Sequence, residues 1–232
     1  MEIKYILEKR LNVNVLVDND CVMLALAEKW MDGRSEQDFC ILNIDYGIGS
    51  SFLINNQIYR GKMFGSGQIG HIKAVDNGTV CGCGREGCLE TEASSKALCR
   101  KYRQQSLSQK KSLNRYTKED MGFSDFVALY LEQDPIALSV AECAATIIGQ
   151  SLYNLLITLN INKIILYGNT CSLGKPWLDT IKQQTLANPF EDKYARRQDQ
   201  TLLCFGNLSE VERIIGMSYL WVEQELDSLF GW

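Results

Sequence analysis

The stretch from Gly61 to Ser94, GKMFGSGQIGHIKAVDNGTVCGCGREGCLETEAS, constrains this chain more than any other. It holds the only histidine, His71, followed by three cysteines in one short loop, Cys81, Cys83 and Cys88. Thiolate sulfur and imidazole nitrogen are the ligands that Zn²⁺ takes in closed tetrahedral sites. Gly82, Gly84 and Gly87 lie between the cysteines and permit the sharp turns that aim three sulfurs at one point. A Cys₃His set is the natural reading, with His71 arriving from the preceding segment. The alternative is a group of buried or disulfide-bonded cysteines, which the tight Cys-x-Cys spacing suits less well. Four protein ligands leave no open position for a catalytic water, so the expected zinc is structural and holds a loop in place. Gln68 and His71 precede that loop and Glu90 follows it, so the staple would draw these polar side chains together.

The rest of the chain reads as one large domain or two small ones, long enough at 232 residues to bury a substantial core. A net charge of −4 gives no support for nucleic-acid binding by this chain alone. No apolar run reads as a bilayer span and no signal peptide is apparent at Met1, so no membrane partner is expected. Nine cysteines without such a signal imply a reducing, cytoplasmic setting. Cys21, Cys40, Cys99, Cys143, Cys171 and Cys204, outside the cluster, read as buried thiols.

Hydrophobic spacing predicts a helix over Met1–Leu11, with Ile3, Ile6, Leu7 and Leu11 on one face, then a short strand over Val13–Val17. Asn19 and Asp20 stand where a helix over Cys21–Trp30 would need an N-terminal cap. Phe39–Ile44 and Ser51–Ile54 read as antiparallel strands around the turn Asp45-Tyr46-Gly47-Ile48-Gly49, and Asn55-Asn56 turns the chain into Gln57–Tyr59. Helices are expected over Ala93–Tyr102, Ser124–Glu132, Pro135–Leu159, Trp177–Leu186 and, in one piece, Ser209–Phe230. The polar tract Gln104–Lys118 reads as an exposed loop. Lys163–Tyr167 and Thr201–Phe205 read as strands.

Gly-Gln-Ile-Gly-His at Gly67–His71, Cys-Gly-Cys-Gly-x-x-Gly-Cys-Leu-Glu at Cys81–Glu90, and Ala93-Ser94 together resemble the ROK family of bacterial repressors, open reading frames and sugar kinases. The likeness runs from about Val13 to the C-terminus and covers only the second part of a family member. It implies the α/β actin-like ATPase (ribonuclease H-like) fold, here its second lobe, a mixed sheet flanked by helices with the zinc-stapled loop. It also implies sugar contacts at Asn19, Asp20, His71 and Glu90. Asp20 falls at the position of the kinase base, where a helix N-terminus would stabilise its charge. Gln68 stands where the family usually has Glu, which keeps hydrogen bonding and removes a charge.

The expected phosphate-binding parts depart from the kinases. Asp45-Tyr46-Gly47 replaces a Gly-Thr-Gly turn, Tyr167-Gly168-Asn169 replaces a triple glycine, and the Asp-x-Gly-Gly-Thr motif of the first lobe is absent. The resemblance is therefore to the sugar-sensing and oligomerising part of a NagC-like (N-acetylglucosamine-repressor type) transcriptional regulator. Such a part binds a sugar or sugar-phosphate effector without phosphorylating it. It forms a homodimer or higher assembly, and reaches DNA only through an N-terminal helix-turn-helix not present in this chain. The alternatives are a truncated or degenerate sugar kinase for hexoses or amino sugars, and a zinc-stapled scaffold without a ligand.

Overall fold

The structure, a computed structural model, describes residues 2–31, 38–108, 121–185 and 201–230. Its centre is β1 (Phe39–Ile44), whose sequence FCILNI is apolar enough to be covered on both faces. β2 (Ile48–Ile54) pairs antiparallel with β1, Leu42 opposite Ser50. β3 (Gln57–Ile58) follows a two-residue turn at Asn55 and Asn56, both with positive φ, as tight hairpins require. β4 (Lys163–Tyr167) lies parallel to β1 on its other side, and β5 (Leu202–Phe205) parallel to β4, giving the order β3-β2-β1-β4-β5. The expected mixed sheet flanked by helices is what the chain forms.

Strand alternation sends Cys40, Leu42, Ile44, Ile164 and Leu166 into the larger core. There they meet α4 (Ser95–Ser108), α5 (Phe123–Leu131), α6 (Pro135–Leu159) and α7 (Gly174–Thr185). α6 begins with Pro135 after Asp134, whose carboxylate accepts from the N–H groups of Ile136 and Ala137 at 2.9 and 3.0 Å. Among the described residues it is the one helix long and apolar enough to cross a membrane, and here it is the central core helix. The opposite sheet face, with Phe39, Ile41, Ile165 and Tyr167, is covered by Leu24 and Ala25 of α2 (Asp20–Met31).

Several expectations are corrected. Val13–Val17 forms no strand: neither edge of the sheet pairs with it among the described residues, and Val15 donates its N–H to Glu8 Oε1 at 3.1 Å. A strand exists only with a neighbour to bond it. Residues 104–108 of the expected loop continue α4, because Tyr102 and Ser106 extend its buried stripe; the rest of that tract lies outside the described residues. The final helix is two, α8 (Glu210–Gly216) and α9 (Tyr219–Phe230). Gly216 lies so close to α2 that a Cβ would sit 2.7 Å from the Met23 carbonyl oxygen. After this contact the chain turns and α9 follows α2, Tyr219 stacking on Trp30 and Glu223 pairing with Lys29 at 2.7 Å. Cys143 is exposed on the outer face of α6 and Cys171 and Cys204 are half-buried, so only Cys21, Cys40 and Cys99 are buried thiols of the expected kind. In α1 (Glu2–Leu11), Ile3, Ile6 and Leu11 remain exposed.

Candidate functional site

A polar cavity of about 390 Å³ opens where β1 ends and α2 begins. Ligand sites of α/β sheets gather at such carboxyl ends. Asn19, Asp20, Gln68, His71 and Glu90, the five residues expected to contact a sugar, all line it. Asn19 sits at the start of α2, its side-chain oxygen accepting from Cys21 N at 2.8 Å and its carbonyl from Val22 N and Met23 N. Asp20 Oδ1 accepts from the same Cys21 N–H at 2.8 Å. Asp18, bonded by the N–H of Asn19 and ion-paired with Arg60, ties this turn to the loop after β3.

Gln68 and His71 are placed by two glycines. Gly67, at φ +85, presses on β2, where a Cβ would lie 2.0 Å from the Ser50 carbonyl oxygen. Its own carbonyl accepts from Ser50 N at 3.0 Å. Gly70, inside the short 3₁₀ turn Ile69–His71, would bring a Cβ within 2.2 Å of Ile48 O. Glu90 enters from α3 (Leu89–Ala93), and its Oε2 accepts from Ile48 N at 3.1 Å.

The thiols of Cys81, Cys83 and Cys88 and the ring of His71 converge, with ligand atoms all within 4.8 Å of one another. Cys81 Sγ lies 3.5 Å from His71 Nδ1, and Cys83 Sγ lies 3.6 Å from Cys88 Sγ. Tetrahedral Zn²⁺ with bonds of about 2.3 Å to sulfur and 2.05 Å to nitrogen requires edges of about 3.75 Å and 3.55 Å, so the cluster fits such an ion. The sulfurs are far beyond bonding distance, and all nine cysteines are free thiols, which removes the disulfide alternative. The backbone N–H of Arg85 draws the Cys83 thiol below its ordinary pKa, whereas burial pushes Cys88 up to about 12. Behind the loop, Glu92 accepts from Thr79 N at 2.9 Å and from Lys101 Nζ at 2.6 Å. Burial alone would raise its carboxyl, but these hydrogen bonds and the nearby positive charge hold it below the usual range.

The replaced phosphate turns adopt specific arrangements. Tyr46 is exposed at the tip between β1 and β2, with Lys96 Nζ 4.7 Å from its ring centroid. Tyr167 turns inward beneath Gly206, where a Cβ would collide with its ring, and its hydroxyl donates to the buried Glu28. Burial, then this contact with Glu28, raises the phenol pKa. Of the two side chains expected to stand in a nucleotide path, Asn169 is exposed and bonds Ser95, while Tyr167 belongs to the core behind it.

Asn43, Asp45 and Cys21 also line the cavity and were not singled out as contacts in the sequence. A polar Asn43 within the apolar run FCILNI was the one available signal. Cys21, read as a plain buried thiol, is buried, but it forms part of the cavity wall.

The ROK family profile matches residues 1–224. An uncharacterised Escherichia coli protein, YphH, is 48% identical over 226 residues, 97% of this chain and 57% of its own length. A putative xylose repressor of a Caldicellulosiruptor species is 27% identical over 83% of this chain and 49% of its own. The chain thus spans about half the length of the curated relatives it matches. In structure it resembles a ROK family glucokinase of Streptomyces griseus solved with glucose and AMPPNP, with TM-score 0.79 and 24% identity over 94% of this chain and 71% of that one.

Proposed function

The chain belongs to the ROK family, and we propose that it is the sugar-sensing and oligomerising portion of a NagC-like transcriptional regulator, binding its effector without phosphorylating it. The observation that carries this is a contrast within one cavity. The five expected sugar residues line it. At its β1–β2 turn, which would have to hug a nucleotide phosphate, stand Asp45 and Tyr46. Phosphoryl transfer depends almost wholly on positioning and on charge stabilisation by backbone N–H groups and metal ions. A carboxylate and a phenol at that turn oppose both.

In this reading the hydroxyls of a pyranose donate to Asp20 and Glu90 and accept from the Asn19 and Gln68 amides. His71 divides its ring: Nδ1 belongs to the Cys/His cluster, leaving Nε2 for the ligand. We assign the cluster to a structural Zn²⁺, which supplies no chemistry beyond fixing His71 and the loop that precedes α3. Self-association through the exposed apolar residues of α8 completes the proposal, with DNA contacted by another part of the regulator.

A truncated or degenerate sugar kinase is the second reading, favoured by Asp20 at the mouth of the cavity beside the helix N-terminus. A coupled assay of sugar-dependent ADP release, run beside calorimetry with free sugars, separates the two. Sugar binding with no turnover is expected. Turnover abolished by Asp20→Ala would overturn the regulator reading.

A further inference from the structure

Three carboxylates line the cavity, Asp20, Asp45 and Glu90, and no lysine or arginine does. None of the three forms an ion pair among the described residues. Each has one oxygen engaged by a backbone N–H: Asp20 by Cys21 and Asp45 by Tyr46, both at 2.8 Å, and Glu90 by Ile48 at 3.1 Å. Basic side chains stand outside it: Arg213 in an adjoining cavity that shares Asp20, and Lys96 and Arg100 in another that shares only Tyr46, Gly47 and Glu90. Lys96 and Arg100 are engaged there, Lys96 over the Tyr46 ring and Arg100 on the carbonyl of Thr91.

We propose that Asp45 makes this cavity a charge filter, admitting uncharged, unphosphorylated sugars and rejecting sugar phosphates and sugar acids. The inference rests on the sugar-sensing reading above and narrows its effector class.

The dimensions support it. A sphere of 390 Å³ is about 9 Å across, so any ligand atom lies within roughly one Debye length, about 8 Å, of the wall carboxylates. Salt then screens these charges only in part. At about 7 Å and an effective dielectric constant near 20, each pair of like unit charges disfavours binding by tens of fold before screening, and by about 10-fold or less after it. A phosphate ester meets that repulsion from three groups and finds no lysine or arginine in the cavity wall. A neutral sugar escapes the repulsion and uses Asp20 and Glu90 as acceptors for its hydroxyls.

Asp45 is the member whose charge is separable from the architecture. The turn is held by its backbone: Asp45 N donates to Gly47 O, and Ser95 N donates to Asp45 O, both at 2.9 Å. Its second carboxylate oxygen has no partner among the described residues. Asparagine at this position keeps the oxygen that accepts from Tyr46 and removes the charge.

The test is calorimetry on the 232-residue chain with matched pairs: glucose and glucose 6-phosphate, N-acetylglucosamine and its 6-phosphate, xylose and xylose 5-phosphate. Circular dichroism checks the fold of Asp45→Asn, with Asp45→Ser as a second variant. The expected result is that the chain binds a free sugar at least about 10-fold more tightly than its phosphate. Asp45→Asn should narrow that ratio about 10-fold while moving free-sugar affinity only a few fold. Equal or tighter binding of the phosphate by the parent chain, or a folded variant with an unchanged ratio, overturns the filter. A parent chain that binds no member of any pair overturns the sugar-sensing reading, and the filter with it.

Discussion

Gly70→Ala tests whether one close backbone contact positions the whole site. Gly70 has ordinary backbone angles, so the substitution adds only a methyl group. That methyl would fall 2.2 Å from the Ile48 carbonyl oxygen and 3.3 Å from the Ile48 Cβ. A comfortable carbon–oxygen contact is about 3.3–3.6 Å, so the turn Ile69–His71 must retreat by about 1 Å. His71 moves with it, and ligand distances at a metal site tolerate only about 0.2 Å. Overpacking of this kind costs about 1–3 kcal/mol, which in a chain of this size lowers Tm by about 2–12 °C. The control is Gly82→Ala, inside the cysteine loop, where a Cβ meets nothing within 4 Å. Metal analysis after dialysis against a weak chelator, with thermal melts of both variants, provides the readout. Gly70→Ala should lose most of its zinc, and Gly82→Ala should keep about one ion per chain, as one tetrahedral site requires. A Gly70→Ala protein that retains metal and melts with the parent would refute the reasoning, as would equal damage from Gly82→Ala.

Three further outcomes are expected. Cys83→Ser, at the exposed corner of the cluster, should release the zinc and lower Tm; retention of one metal per chain would count against the assigned ligands. Glu92 has a carboxyl pKa lowered in the folded state, so its contribution is full above the unfolded value of about 4.5 and is lost as pH falls through the lower folded value. The Tm difference between the parent and Glu92→Gln should therefore be largest at neutral pH and shrink below about pH 4; a difference independent of pH would contradict the assigned role. In α8, Val211 and Ile214 are exposed at 64% and 55%, and sedimentation velocity should show self-association that Ile214→Glu weakens. A single monomeric parent species at the highest concentrations would dismiss that surface as an interface.

What the sequence determined by itself was mostly local. Cys81, Cys83 and Cys88 are close in the chain and joined by glycine turns, so their convergence needs little from the rest of the molecule. The same holds for the Asn55-Asn56 turn, which depends on residues adjacent in the chain. Motif likeness then carried Asn19, Asp20, Gln68 and Glu90 to one cavity. Tertiary structure alone decided what depends on distant backbone. Asn43, Asp45 and Cys21 became cavity wall because β1 pairs with β2 and α2 crosses that sheet. Tyr167 faces inward because strand alternation places it on the α2 side, against Glu28. The close approach of Gly216 to α2 divides a helix whose apolar periodicity runs unbroken. Val13–Val17 has the composition of a strand, but a strand is a pair of bonded backbones and its partner cannot be read from one of them.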